Sequence, residues 1–536
     1  MEKLDITASF DEIFGKTTPE YNSESATVIA RMQELFPELF DIGGNYNDEV
    51  NCNTSKITNT PKLIEQIVQT IKKRYPGVTT AYIKNVINAM VSQYTTMKRI
   101  KYIEANNCDS AYPNYYAINF MPSGAGKDRV LKDLKKFFYC YLEKEFNFDV
   151  ETYLRNRIQK IEKEAKEKYP NNEQEKQRNS YINTKEIDID KPTLETSDGT
   201  REGVYRDAKA LKEAGFGSLT IVHSEFGQLL NNPTHEQEQF LKLLFSGYDG
   251  KITSKSIKGE KKKEDITDIP VNLLVHSDPT LFCSDLKQTF NSMLESGVCR
   301  RSSITFADKI ESYEMQQDPK KALEEQRQYF RNLAILGYKL FMVLEKVKFG
   351  AQFKMTNEAF EKVLYPYMLE LKALMDKEEN SLIKKEIMSR EFKAIKLSCN
   401  YACINHPNEH FINTEDMNMA ISNIEELSKD FYKFISYAPK YEDKYDRGFR
   451  FFLEHEGISF KKSELITDYR QHFGISREKF KNCFDEYMKV VKSIAVSKGY
   501  LLNEILINHN SGSKFTLIPL KKQKLSDFVT PLEDLL

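Results

Sequence analysis

The sequence predicts an α/β fold in which a parallel sheet is flanked by helical regions and followed by a small helix–turn–helix and hairpin unit. Two observations carry this. The β-prone runs in YPNYYAINF, Ser218 to His223 and Val271 to His276 are separated by segments of helical periodicity, and strands alternating with helices argue for a parallel sheet. Beyond Asp318 the chain reads as consecutive helices, until the pattern changes again near Asp446. A chain of 536 residues has material for several units with a buried core.

From Ala26 to about Lys101 the pattern is helical. In PKLIEQIVQTIKK, Leu63, Ile64, Ile67 and Ile71 fall on one face, and residues 1–100 are read as a helical N-terminal region. Residues 101–317 form the α/β core. Its first strand passes through a Gly-containing turn into a helix with Val130, Leu131, Leu134, Phe137, Phe138 and Tyr141 on its buried side. Residues 149–200 are an excursion: Val150, Leu154, Ile158, Ile161, Ala165 and Tyr169 recur at helical spacing, so a long, narrow-striped helix leads into a polar loop. HEQEQFLKLLF reads as a helix, and the lysine-rich KSIKGEKKKED as a loop before the third strand.

Residues 318–440 are read as a helical region, with Thr356, Ser389 and Thr414 as N-caps. Within 446–520, SFKKSELITDYRQHFGISREKFKNCFDEYMKVV breaks into two helices at Gly474, with Ser476 capping the second. NHNSGS then joins two β-prone runs. Helix, turn, helix and hairpin is the pattern of a winged-helix-like domain. Residues 521–536 form a tail.

Lys plus Arg (78) almost cancels Asp plus Glu (79), so any basic surface is local. Of eight cysteines only Cys399 and Cys403 lie close together, which fits reduced thiols in a cytoplasm. The start, MEKLDITASFDEIF, has acids where a signal peptide needs a basic segment. No run approaches the roughly 18 apolar residues of a membrane span. The expectation is a soluble cytoplasmic protein without a membrane partner.

Binding a triphosphate needs backbone N–H groups at a helix N-terminus, glycines that let the backbone approach, and a lysine for the outer phosphates. Ser123, Gly124, Ala125, Gly126 and Lys127 supply all three. The usual pattern has a further glycine where this chain has Met121, and Ser or Thr where it has Asp128; an ordinary strand–helix turn is the alternative. The second run ends in LTIVHSEFGQLL, where Glu225 suits a water-orienting carboxylate and Ser224 holds the place usual for a magnesium-binding acid. A carboxylate at Asp128 and a hydroxyl at Ser224 exchange the usual pair, so a Mg²⁺ shell would keep one of each. The alternative is a decayed site that does not hydrolyse ATP.

The third run ends in His276, Ser277 and Asp278, which suit sensing the γ-phosphate or the water; His276 equally suits a hydrogen-bonded strand end. In MLESGVCRRSSITF, Arg300 and Arg301 suit an arginine finger that reaches a neighbouring subunit.

In this order of motifs the chain resembles an uncharacterised family of RecA-like P-loop ATPases from phages, plasmids and genomic islands, often attached to primase or primase–polymerase domains. The likeness spans roughly Pro61 to Phe434. It rests on PNYYAINFMPSGAGKD, SDGTREGVYRDAKALKEAGFGSLTIVHSEFGQLL, LLFSGYDGK, HSDPTLF and SGVCRR. The departures are Ser224 for the family's usual Asp and Asp128 for the commoner Ser. The resemblance implies a RecA-like core that binds ATP and Mg²⁺, a homo-oligomeric and hexameric ring, and a helicase or translocase acting on single-stranded or forked DNA in a bacterial host cell. It also points to Arg301 ahead of Arg300 as the finger. The competing reading is a replication initiator or scaffold that binds ATP with little turnover.

Cys399, Cys403, His406 and His410 resemble a zinc set, but the cysteines read better as part of a core helix. The lysine-rich loop is a solvated loop or a pore contact to DNA. Arg477, Lys479 and Lys481, with Lys461 and Lys462, make DNA a partner for the winged-helix-like domain, which could equally dock protein. Leu525 and Phe528 in the tail could bind a replication protein or pack on their own domain.

Overall fold

The structure, a computed structural model, describes residues 59–104, 109–171, 174–187, 189–196, 201–223, 235–252, 265–279, 297–310, 316–437, 444–473, 477–506 and 513–520. Its contacts divide the chain into two units, Met1–Phe434 and Ile435–Leu536.

The first unit is built on a parallel sheet of five strands: β1 (Tyr116–Phe120), β2 (Glu195–Thr196), β3 (Leu219–His223), β4 (Val271–Ser277) and β5 (Ser303–Phe306). They lie in the order β2-β3-β4-β1-β5, every pair parallel. All residues of β1 and β4 are buried, as expected where helices cover both faces of a parallel sheet and the strands read as near-continuous apolar runs.

Two helices precede the sheet: α1 (Lys62–Arg74), with Ile64, Ile67, Val68 and Ile71 buried, and α2 (Thr80–Met97), buried along its whole length from Tyr82. The sequence assigns both to an N-terminal region, yet α2 lies against β1, β4 and β5. Two of its polar residues are satisfied by the sheet and the segment leading into it. Asn85 Nδ2 donates to Asn119 Oδ1 at 2.9 Å and to the Ser303 carbonyl at 3.0 Å. Ser92 Oγ donates to the Pro113 carbonyl at 2.7 Å. Buried polar groups are tolerated when they are hydrogen-bonded in this way.

After β1 the chain enters α3 (Lys127–Leu134), passes through a π-helical turn at Lys135–Tyr139, and continues as a helix over Cys140–Lys168. The polar loop expected to follow is instead a second helix, Glu175–Ile187, with no buried residue. Without a buried stripe it carries no periodic signal. It is held by the Arg178 guanidinium, which donates to the Tyr169 carbonyl at 2.6 Å, and by Lys168 Nζ, 4.6 Å over the Tyr181 ring.

The region beyond Asp318 is not helical throughout. Gln352–Met355 and Phe411–Ile412 are strands, and Gln352–Met355 pairs in parallel with Lys101–Ile103 in a second sheet. Runs this short are not separable from loop by alternation. Thr356 caps its helix, its Oγ1 accepting from the Ala359 N–H at 3.1 Å. Ser389 does not cap: it lies inside helix Ser381–Asn405, which Asn380 caps. At Thr414 the cap is one residue earlier, Asn413, which exchanges hydrogen bonds with Asp416.

In the second unit, helix Lys444–Glu454, strand Ser459–Lys461, short helices Lys462–Thr467 and Arg470–Phe473, helix Arg477–Ser497 and a hairpin of Tyr500–Leu506 with Ser513–Pro519 follow one another. The first strand pairs with Ser513–Pro519, completing a three-stranded antiparallel sheet. Its core is rich in phenylalanine, with Phe452, Phe473, Phe480, Phe484 and Phe515 buried. The expected break at Gly474, the cap at Ser476, the tip of the hairpin turn, the lysine-rich stretch 255–264 and the tail lie outside the described residues. Among the described residues no helix is long and apolar enough to cross a membrane.

Candidate functional site

The C-terminal ends of β1, β3 and β4 share one edge of the sheet, where ligands of open α/β sheets bind. From β1 the chain turns sharply into α3. Gly124 and Gly126 have φ of 84° and 100°, a region that an L side chain disfavours. The loop is tied to β4 by the Met121 N–H, which donates to the Ser277 carbonyl at 3.0 Å.

Lys127 opens α3 and is buried, its Nζ donating to the Met121 carbonyl at 3.3 Å. A buried ammonium with one carbonyl partner, behind a loop and a helix N-terminus, is an arrangement that favours an anion. Ser123 and Gly124 are exposed, Ala125 is buried, Gly126 is half-buried, and Asp128 is exposed in the first turn of α3. The loop already meets one anion, Asp278, whose Oδ2 accepts from the Ser123 N–H and Oγ–H.

His276 and Ser277 end β4, both buried. Burial pushes His276 down to about 3, with the positive charge of Lys127 adding to it, so the ring is neutral. His276 Nδ1 lies 3.2 Å from the hydroxyl of Tyr82, which donates to the Lys127 carbonyl at 3.1 Å. The Nε2 of His276 is buried without a hydrogen-bond partner among the described residues. Ser277 acts on the loop through its backbone carbonyl.

Ser123 to Asp128, His276 and Ser277 are thus brought together from two strand ends. Ser224 and Glu225 follow the last residue of β3 in sequence and lie outside the described residues. Arg300 and Arg301 are elsewhere. Their helix, Val298–Arg301, precedes β5, so it lies at the opposite edge of the parallel sheet from the loop, a strand length of about 13 Å away. The Arg301 guanidinium stacks 3.8 Å over the Phe245 ring and meets Asp249 at 3.5 Å. Arg300 has a buried Nε without a partner among the described residues, and burial together with Arg301 lowers its pKa.

Tyr82 was not legible as a site residue. On α2 it reads only as one more buried aromatic, and its partners are far along the chain. Of the cysteine–histidine set, Cys399 and Cys403 are buried within one helix, and His406 Nε2 pairs with Asp416 Oδ2 at 2.6 Å. No group of three or more His, Cys, Asp or Glu side chains is placed to hold a metal ion among the described residues. No family model matches the chain, and no curated protein matches it.

Proposed function

We propose that this chain is an ATP-dependent DNA helicase or translocase of a phage or mobile element, with a RecA-like P-loop core acting as a homo-oligomeric, hexameric ring. The observation that carries the reading is the loop from Met121 to Lys127, with two left-handed glycines and a buried lysine at the head of α3. The strand order also supports it. β4 lies between β1 and β3, so the end of β3 stands two strand spacings, about 10 Å, from the loop strand. That leaves room for a phosphoryl group and a water between them. The Nε2 of His276, buried without a hydrogen-bond partner among the described residues, suits a polar ligand.

In this reading Lys127 and the amides of Ser123 to Gly126 hold the phosphates. Asp128 and Ser224 would hold Mg²⁺, which supplies neutralising charge to the phosphate oxygens. Glu225 orients the attacking water, and Arg301 or Arg300 acts on a neighbouring subunit, consistent with their distance from the loop of their own chain. The helix, strand and hairpin order of the second unit supports a winged-helix-like domain. There Lys461 and Lys481 are exposed and suit contact with DNA phosphates, whereas Lys462 is engaged by Asp485 at 2.6 Å.

One observation favours an initiator or scaffold with little turnover: Asp278 occupies the loop donors that a phosphate would use. ATP hydrolysis with and without single-stranded DNA separates the two. The motor reading expects DNA-stimulated turnover that Lys127→Ala abolishes while the melting temperature holds. Wild-type hydrolysis by Lys127→Ala would remove the site assignment, and binding without turnover in either condition would favour the scaffold.

A further inference from the structure

Tyr82 is fully buried, and its place is fixed one turn before Asn85, which anchors α2 to the sheet through Asn119 and Ser303. Its hydroxyl lies 3.1 Å from the Lys127 carbonyl and 3.2 Å from His276 Nδ1. A phenol has a single proton, and a carbonyl can only accept. Both contacts are hydrogen bonds in one arrangement alone: the tyrosine proton goes to the carbonyl, and the imidazole supplies a proton from Nδ1 to the tyrosine oxygen. A neutral imidazole protonated at Nδ1 has only a lone pair at Nε2. That nitrogen is buried and has no hydrogen-bond partner among the described residues, and the positive charge of Lys127 acts on the ring.

A γ-phosphate oxygen is itself an acceptor and has nothing to offer such a nitrogen. Water has. We infer that Tyr82 is a positioning residue that holds His276 in the Nδ1–H tautomer, so that Nε2 accepts a hydrogen bond from the attacking water and is not a donor to the γ-phosphate. The inference rests on the ATP reading above and decides between the two roles open to His276. It also gives α2 a part in the site: by fixing one rotor it sets which ring nitrogen carries the proton, a preorganisation that costs nothing at the moment of reaction.

The test uses the full chain labelled with ¹⁵N-histidine, the His276 signals being assigned by their loss in His276→Gln. Wild type is expected to show a protonated Nδ1 and a bare Nε2, both free and with AMP-PNP and Mg²⁺. Tyr82→Phe is expected to lose that preference and to lower kcat about tenfold, the worth of one hydrogen bond, with KM within about twofold. An Nε2–H ring in wild type, whose measurement needs no variant to fold, overturns the inference. So does a Tyr82→Phe enzyme with wild-type kcat, or one altered in KM alone, which would assign Nε2 to holding the ground state. Failure of AMP-PNP to bind wild type overturns the ATP reading and the inference with it; binding beside an Nε2–H ring overturns the inference alone.

Discussion

Asp278 Oδ2 accepts two hydrogen bonds from Ser123, one from the backbone N–H at 2.7 Å and one from Oγ at 2.8 Å. The end of β4 therefore places a carboxylate on the first donors of the loop after β1, where it competes with any phosphate and repels it. Asp278→Ala is expected to tighten AMP-PNP binding about five- to tenfold, the scale of one competing hydrogen bond. A fluorescence titration reads this directly. Unchanged or weaker binding would mean that Asp278 shapes the loop and does not compete for it.

Arg301 combines two demands. Its guanidinium stacks on Phe245 and meets Asp249 within the chain, while the proposed ring needs an arginine at a neighbour's γ-phosphate. Arg301→Ala should lower turnover about 100- to 1000-fold without weakening AMP-PNP binding, and should cost roughly 1 kcal/mol of stability from the lost stacking. Arg300→Ala should do less to turnover. Mixing Arg301→Ala with Glu225→Gln subunits should restore some activity through composite sites. If verified mixed oligomers recover none at any ratio, action between subunits is ruled out.

His406 gives a pH dependence of stability. Burial lowers its pKa, but the hydrogen bond and charge of Asp416 outweigh burial and hold it above the ordinary value of 6.5. A pKa raised on folding adds stability that is complete below the unfolded value and is lost as pH rises through the folded value. Wild type should therefore lose stability relative to His406→Gln as pH rises from below 6.5 through the raised pKa of the folded state. Chemical unfolding of both proteins across that range measures the difference. Parallel pH profiles would show that the pair carries no net charge coupling.

Gly337 lies where helix Pro319–Glu345 crosses the π-helical turn after α3. A Cβ built there would stand 2.2 Å from the Phe137 carbonyl oxygen, a backbone atom that cannot swing aside. Gly337→Ala should destabilise the chain by about 2–3 kcal/mol, as overpacking does, seen as a lower melting temperature. An unaltered melting temperature would mean that the helix does not make this close approach.

Much of the local structure was legible in the sequence because local patterns encode it. The run YYAINF, a glycine turn and a periodic helix make a strand, a loop and α3 with Lys127 at its head. The runs ending at His223 and His276 are strands for the same reason, and the long helix and hairpin of the second unit follow from period and turn residues, whereas the stretch read as its first helix is strand Ser459–Lys461 followed by two short helices, Lys462–Thr467 and Arg470–Phe473. Periodicity states that a face is buried, not what buries it. The sequence therefore separated α2 from the sheet it covers and missed the pairing of Lys101–Ile103 with Gln352–Met355. It also read the unstriped helix Glu175–Ile187 as loop.

Only the tertiary structure decided the order β2-β3-β4-β1-β5, which gathers the ends of β1, β3 and β4 on one edge and leaves Arg301 on the other. It alone brought the Tyr82 hydroxyl to His276, a contact across 194 residues of chain. A hydrogen bond of that span leaves no trace in spacing, because its geometry arises when helix and sheet pack, and each residue taken singly is an ordinary buried side chain.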